Sequence, residues 1–256
     1  MAERYLGGSG LHASIEKDDR VPGSYVLSIG GSEQSHVNLR HPDDVFYEYL
    51  RRIANVVDLS GPSGVPLRFL HLGAGALTLA RYVQATRPGS EQVAVELERE
   101  LLDFVLEHLP MPEGTDLEVH FGDARQEVAF GDIEGAFDVI VLDVFAGDDA
   151  PEHLTTAGFY EELLDVLEPD GVLLVNVGDD PPLTFAKLQA RELGSAAGSV
   201  AALAETGMFT STRAGNIVLA ARRDGWSPVW TDALLAAGPH PAAVLTGPEL
   251  ESFAGG

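Results

Sequence analysis

Cysteine is missing altogether from these 256 residues, which excludes disulfides, thiolate nucleophiles and cysteine-ligated metals. Basic residues are scarce: Lys and Arg total 16 against 40 Asp and Glu, a formal net charge of −24. So acidic a chain repels phosphate backbones and anionic bilayers, and neither nucleic acid nor membrane is expected as a partner. It attracts cationic small molecules, amines among them, although solubility, as in a salty cytoplasm, explains the charge without any function. No apolar run approaches the ~20 residues of a membrane-spanning helix, and the start "MAERYLGGSGLHAS" has no signal-peptide core. The expectation is a cytoplasmic protein. The eight histidines show neither H-x-x-x-H nor H-x-H spacing, so no metal site is expected. Ser9, Ser32 and Ser63 sit near glycines without the strand–turn–helix elbow of a hydrolase.

What is present is an alternation of short apolar runs with longer amphipathic ones. "LRFLHLG" (67–73), "QVAVELE" (92–98), "LEVHFGDA" (117–124), "FDVIVLDVF" (137–145) and "GVLLVNV" (171–177) read as strands. "ALTLARYVQATR" (76–87), "RELLDFVLEHL" (99–109) and "TAGFYEELLDVL" (156–167) read as the helices between them. This order predicts an α/β fold, a Rossmann-like, mostly parallel sheet covered on both faces. "NIVLAARR" (216–223) reads as a late strand, antiparallel to "VAALAET" (200–206), and "TDALLAAG" and "TGPELESF" as short helices of the tail. "GSYVLSIGGSEQSHVNL" (23–39) reads as a hairpin and "PDDVFYEYLRRIANVVDL" (42–59) as a helix with Pro42 near its start, leading through "SGPSGVP" (60–66) into the sheet. The expected division is a small hairpin-plus-helix region, 1–62, and a nucleoside-binding domain with its tail, 63–256.

The strand ends carry the chemistry. Gly73 and Gly75 in "FLHLGAGALTLARY" allow a tight turn and a close approach of backbone to ligand. As a dinucleotide fingerprint the motif fails at its third glycine, where Thr78 stands. Glu96 ends the second strand, 23 residues past Gly73, where a carboxylate can accept both ribose hydroxyls. Asp123 ends the third strand, within reach of an adenine amino group, and Asp143 ends the fourth. Gly, Glu, Asp and Asp around one crevice indicate an adenosine-type site. The missing glycine, Asp123 and the late strand favour a sulfonium nucleoside over NAD.

In these motifs the chain resembles the spermidine synthases and their actinobacterial spermidine-synthase-like relatives, over roughly residues 23–223. "GGSEQSH" is similar to the family's hairpin with its cofactor-contacting glutamine, which implies that role for Gln34. "DDVFYEYL" resembles its acidic-aromatic helix and matches Tyr47 to the pocket tyrosine. "GAGALTLAR" stands where the family has G-G-G-D-G-G-x-x-R, and "VELE" where it has V-E-I-D, which makes Glu96 the ribose acid. "DVFAGDDAPEHLTTAGFY" aligns to D-S-S-D-P-x-G-P-A-x-x-L-x-x-x-x-F-Y, placing Asp143 on the first aspartate. Asn176 stands nearest the family's pocket-facing glutamine, and "DDP" (179–181) could border the acceptor pocket. The resemblance implies S-adenosyl-L-methionine or its decarboxylated form as donor, a small-molecule acceptor such as an amine, and a homodimer.

Two family acids are replaced. The aspartate that deprotonates the amine falls on Ala146, and the glycine-loop acid that holds the aminopropyl ammonium falls on Ala76; alanine can do neither. An acid at 76 would repel the carboxylate of S-adenosylmethionine, and alanine leaves room for it. The expectation is therefore methyl transfer to an unknown acceptor, a reaction that depends mainly on positioning. The alternatives are aminopropyl transfer with a displaced base, Asp148 or Asp149, and a nucleoside-binding protein without catalysis. His71 reads as a packed strand residue, and Glu152 and His153 as exposed residues at a helix start.

Overall fold

The computed structural model describes residues 1–144, 150–210 and 213–255. Most of the runs from Leu67 onward form strands that are apolar on both faces, as a sheet covered by helices on both sides requires; the edge run 116–121 alternates instead. β5 (Arg68–Leu72), β6 (Glu91–Glu96), β7 (Asp116–Phe121), β8 (Phe137–Leu142) and β9 (Leu167–Asp179) are all parallel. β10 (Val200–Glu205), β11 (Gly215–Ala221) and β12 (Ala242–Thr246) complete an eight-stranded sheet in the order β12-β10-β11-β9-β8-β5-β6-β7. β11 runs antiparallel between β9 and β10, so the expected antiparallel pairing of the two late strands is present.

Along β8 the side chains alternate between two cores. Val139 and Val141 join Val172 and Leu174 beneath α1 (Glu48–Leu59) and α2 (Thr78–Thr86). Ile140 and Leu142 join Leu173 and Val175 beneath α5 (Ala157–Asp165), α6 (Thr184–Ala197) and α8 (Gly247–Gly255). The order turns back at β5, which pairs β6 on one side and β8 on the other. In open α/β sheets that reversal opens a crevice at the carboxyl ends of the strands. α3 (Arg99–His108), the seven-residue α4 (Ala124–Phe130) and α7 (Pro228–Ala237) complete the helices. Nothing in the sequence reading anticipated α4, α6 or β12.

The N-terminal region is larger than a hairpin. β1 (Ala2–Tyr5), β2 (His12–Lys17), β3 (Ser24–Ile29) and β4 (Ser32–Asn38) form a four-stranded antiparallel sheet, of which the expected hairpin is only β3–β4. Its buried face, with Ala13, Ile15, Leu27 and Val37, packs on Leu101, Phe104 and Val105 of α3. The helix expected from Pro42 begins only at Glu48. Asn38 explains the delay: its side-chain oxygen accepts from the amides of Arg40 and His41, and the Asp44 amide bonds His41 O. These bonds turn the chain, and a side chain that satisfies local amides competes with helix. Pro42 thus lies in a turn, and Tyr47 is still extended.

The "SGPSGVP" segment is wrapped around one cation. Arg87 is 2% exposed, and its guanidinium donates to the carbonyls of Val57, Asp58, Gly61, Pro62 and Val65 at 2.9–3.2 Å. It thereby joins the end of α1 to the entry into β5. Replacing it leaves five acceptors without their donor, and buried unsatisfied carbonyls are costly. Arg87→Met is expected to lower stability by about 3 kcal/mol, read as the shift in a urea unfolding curve; an unshifted midpoint would contradict this anchoring role.

Candidate functional site

β5 and β8 meet at their carboxyl ends through backbone alone. Gly73 has φ +95, and a Cβ there would lie 2.1 Å from Asp143 O, so both conformation and space demand glycine. The Gly73 amide donates to Val95 O at 2.9 Å and the Asp143 amide to Leu72 O at 2.8 Å. Gly75, at φ +48, passes beside Ser35 Oγ, which accepts from the Ala76 amide at 3.2 Å. Thr78 Oγ1 donates to His36 O at 3.2 Å. These two bonds tie the glycine loop to β4. Leu77 takes φ 57, a left-handed conformation at a position where the resembled motif has glycine. Its side chain is buried with Ala80, Ala94 and Leu102, which holds the strained backbone in place.

Over this junction lies a cavity of about 800 Å³ lined by Gln34, Tyr47, Gly73, Gly75, Glu96, Asp123, Asp143 and Asn176. Every expected site residue that the structure describes is therefore in one place. Asp148 and Asp149, like Ala146, lie outside the described residues. Glu96 is aimed by two amides, Ala74 N on Oε2 at 3.0 Å and Glu98 N on Oε1 at 2.9 Å, with lone pairs to spare for hydroxyl donors. Asp123 caps α4: Oδ1 accepts from the Arg125 and Gln126 amides, and Oδ2 from His153 Nε2 at 2.6 Å. Burial alone would raise its carboxyl, but His153 and the two amides outweigh that and hold it below the usual carboxylate range.

Asp143 forms the floor. Asn176 Nδ2 donates to Oδ1 at 2.8 Å and the Tyr49 hydroxyl to Oδ2 at 3.3 Å. Asn216 Nδ2 donates to Asn176 Oδ1 at 3.1 Å, which fixes the orientation of that amide. Burial raises the Asp143 carboxyl above its ordinary range, and the bonds from Asn176 and Tyr49 oppose the rise. Burial and the Asp143 charge push the Tyr49 hydroxyl far up, so it stays a donor. Burial and then Glu33, which accepts its hydrogen bond at 3.4 Å, push Tyr47 up to about 12.

Two expectations need correction. Ala76 is 1% exposed and packs with Leu6, Ile15, Leu27 and Leu101, not against the cavity. The volume freed by a missing acid is filled by the small-sheet core, so the argument that it admits a donor carboxylate fails. Asp179 does not line the cavity; it accepts from the Asp180 amide and from the Ala186 amide in the first turn of α6. His71 is packed, as expected, and it also lines the cavity. Its Nε2 donates to Gln92 Oε1 at 3.0 Å, because Gln92 Nε2 is committed to Ala80 O. Burial pushes the imidazole down to about 4, so it is neutral at physiological pH.

The sequence reading missed Tyr49, Ser35 and the His153 contact. Tyr49 was visible as the second tyrosine of "YEY"; its choice over Tyr47 needed the start of α1, since Tyr47 precedes the helix. The charge of the cavity also emerges only in space. Glu33, Glu48, Glu98 and Glu205 join Glu96, Asp123 and Asp143 in its wall, against a single cationic side chain, Arg52. Arg52 is 4% exposed and donates to Pro239 O at 2.9 Å and to Glu48 at 3.5 Å. None of the undescribed residues is Lys or Arg.

The chain is similar over its whole length to the crystal structure of a probable spermidine synthase from Corynebacterium glutamicum ATCC 13032. That likeness has 30% identity and a TM-score of 0.85, and covers 100% of this chain and 93% of that one. A spermidine synthase solved in complex with the transition-state analogue AdoDATO shares the fold, with 14% identity, a TM-score of 0.64 and coverage of 100% and 87%. The polyamine aminopropyltransferase of Chromobacterium violaceum is 28% identical over 149 residues, 57% of this chain and 55% of that protein. This chain thus spans about half the length of the curated relatives it matches. No protein-family model matches it.

The Tyr49–Asp143 bond has a measurable consequence. Tyr49→Phe removes a donor that stabilises the ionised carboxylate, so the Asp143 titration is expected to move to higher pH. Because the folded-state value is already raised, stability falls as pH rises through it, and the variant shifts that loss upward. Carboxyl-labelled NMR titration checks the direction; a downward or absent shift would contradict the geometry.

Proposed function

This chain belongs to the spermidine synthase (polyamine aminopropyltransferase) family, and from that membership we propose that it transfers an aminopropyl group from decarboxylated S-adenosylmethionine to an amine. The carrying observation is the charge of the cavity: seven carboxylates against one buried, already paired arginine. A decarboxylated donor brings a sulfonium and an ammonium, and both suit such walls. The amino-acid end of S-adenosylmethionine adds a carboxylate for which the cavity holds no free cation. With Ala76 buried in the small-sheet core, nothing in the glycine loop favours that carboxylate, and methyl transfer loses its support.

In this reading the glycine loop takes the nucleoside close to the backbone, Glu96 accepts its ribose hydroxyls, and Asp123 faces its base. Gln34 and Tyr47 close the side formed by β4 and the start of α1. Asp143 accepts an N–H of the attacking amine and takes its proton, and a burial-raised carboxyl is the better base for it. Asn176 and Tyr49 keep Asp143 aimed at the reacting nitrogen. The amine nitrogen bonds to the carbon beside the sulfonium, the C–S bond breaks, and methylthioadenosine leaves. Decarboxylated S-adenosylmethionine with a short aliphatic diamine is expected to yield methylthioadenosine and the aminopropylated amine, detected by mass spectrometry. Asp143→Asn should cut turnover at least ~100-fold while methylthioadenosine still binds. S-adenosylhomocysteine formed from S-adenosylmethionine would overturn the proposal in favour of methyl transfer.

A further inference from the structure

His153 occupies a place that the reaction above does not use. It lies in the short turn Glu152–Leu154, which follows the undescribed residues 145–149. Two bonds tie that turn to the start of α4: His153 Nε2 donates to Asp123 Oδ2 at 2.6 Å, and Arg125 Nη1 donates to His153 O at 3.0 Å. Arg125 is itself held by Glu162 through Nε at 2.8 Å and Nη2 at 2.5 Å. Pro151 and Leu154, on either side of His153, line the cavity together with Gly122 and Asp123. The imidazole is half-exposed and does not itself line the cavity.

The consequence falls on Asp123. Its Oδ1 is committed to the two amides of the helix cap, so Oδ2 is the oxygen left for a ligand. Oδ2 has a second lone pair, and a donor such as His153 fixes where that lone pair points. An amino group on a purine edge donates to such an acceptor. An oxo group presents lone pairs to a carboxylate and is repelled. We propose that His153 is a specificity-determining residue: by holding Asp123 Oδ2 as an ordered acceptor, it makes the crevice select 6-amino over 6-oxo purine nucleosides. This rests on the reading that Asp123 faces the donor's base. Without His153, Oδ2 is hydrated and oriented only through the cap bonds to Oδ1, and the discrimination shrinks.

The test is calorimetric titration of wild-type protein, His153→Ala and His153→Gln with methylthioadenosine and with its 6-oxo analogue, methylthioinosine. Wild type is expected to prefer the amino nucleoside, and His153→Ala to reduce the ratio of the two affinities about tenfold. His153→Gln keeps an N–H donor and should retain most of the preference. The ratio separates this role from a structural one, since a loosened wall weakens both nucleosides alike. A ratio unchanged or increased in His153→Ala overturns the inference and leaves the donor-site reading standing. Wild-type protein that binds neither nucleoside overturns that reading and the inference with it.

Discussion

At the point where the sheet reverses its order, the loop after β5 presses on the loop after β8 with no side chain between them. A Cβ on Gly73 would meet Asp143 O at 2.1 Å, so the crevice exists in this form only because residue 73 has none. The contact sets the depth of the site. It lowers the glycine loop far enough for the Ala74 amide to reach Glu96. It also brings Asp143 to the base of the cavity, where Asn176 and Tyr49 take one oxygen each. Displacing either loop would move Glu96 and Asp143 together.

From that junction a polar floor runs across the sheet. His71, Asp143, Asn176 and Asn216 stand at the carboxyl ends of β5, β8 and β9 and the start of β11, and Tyr49 reaches down from α1. Hydrogen bonds link the last three strands, and the neutral His71 leaves the floor without a competing cation. Around this floor the walls are carboxylates from both sheets and from α1. The net charge of −24, which solubility alone could explain, is thus in part concentrated where a cationic ligand would be held. Low-dielectric walls strengthen such a field beyond its value on an open surface.

Much of this was legible in the sequence because the central parallel strands are apolar throughout and strand ends are marked by turn residues. Gly73, Glu96, Asp123 and Asp143 each follow an apolar run, and all four line one cavity. What escaped were features set by three-dimensional packing. Ala76 looked like a wall of the pocket, yet the small sheet covers it; β1 and β2, which complete that sheet, are short and carry no strong signal. Tyr49 lay beyond reach because the turn at Asn38 shifts the start of α1 and so decides which tyrosine faces the floor. His153 is 30 residues from Asp123, and no spacing rule joins an exposed histidine to a helix cap at that distance.

The central claim is that this crevice holds a cationic nucleoside donor and rejects a carboxylate. Titration calorimetry of the purified protein with decarboxylated S-adenosylmethionine and with S-adenosylmethionine tests it most directly. The two ligands differ by one carboxylate, which the acidic walls should penalise by at least about tenfold in affinity. The account predicts tighter binding of the decarboxylated form. Equal affinities, or tighter binding of S-adenosylmethionine, would contradict it.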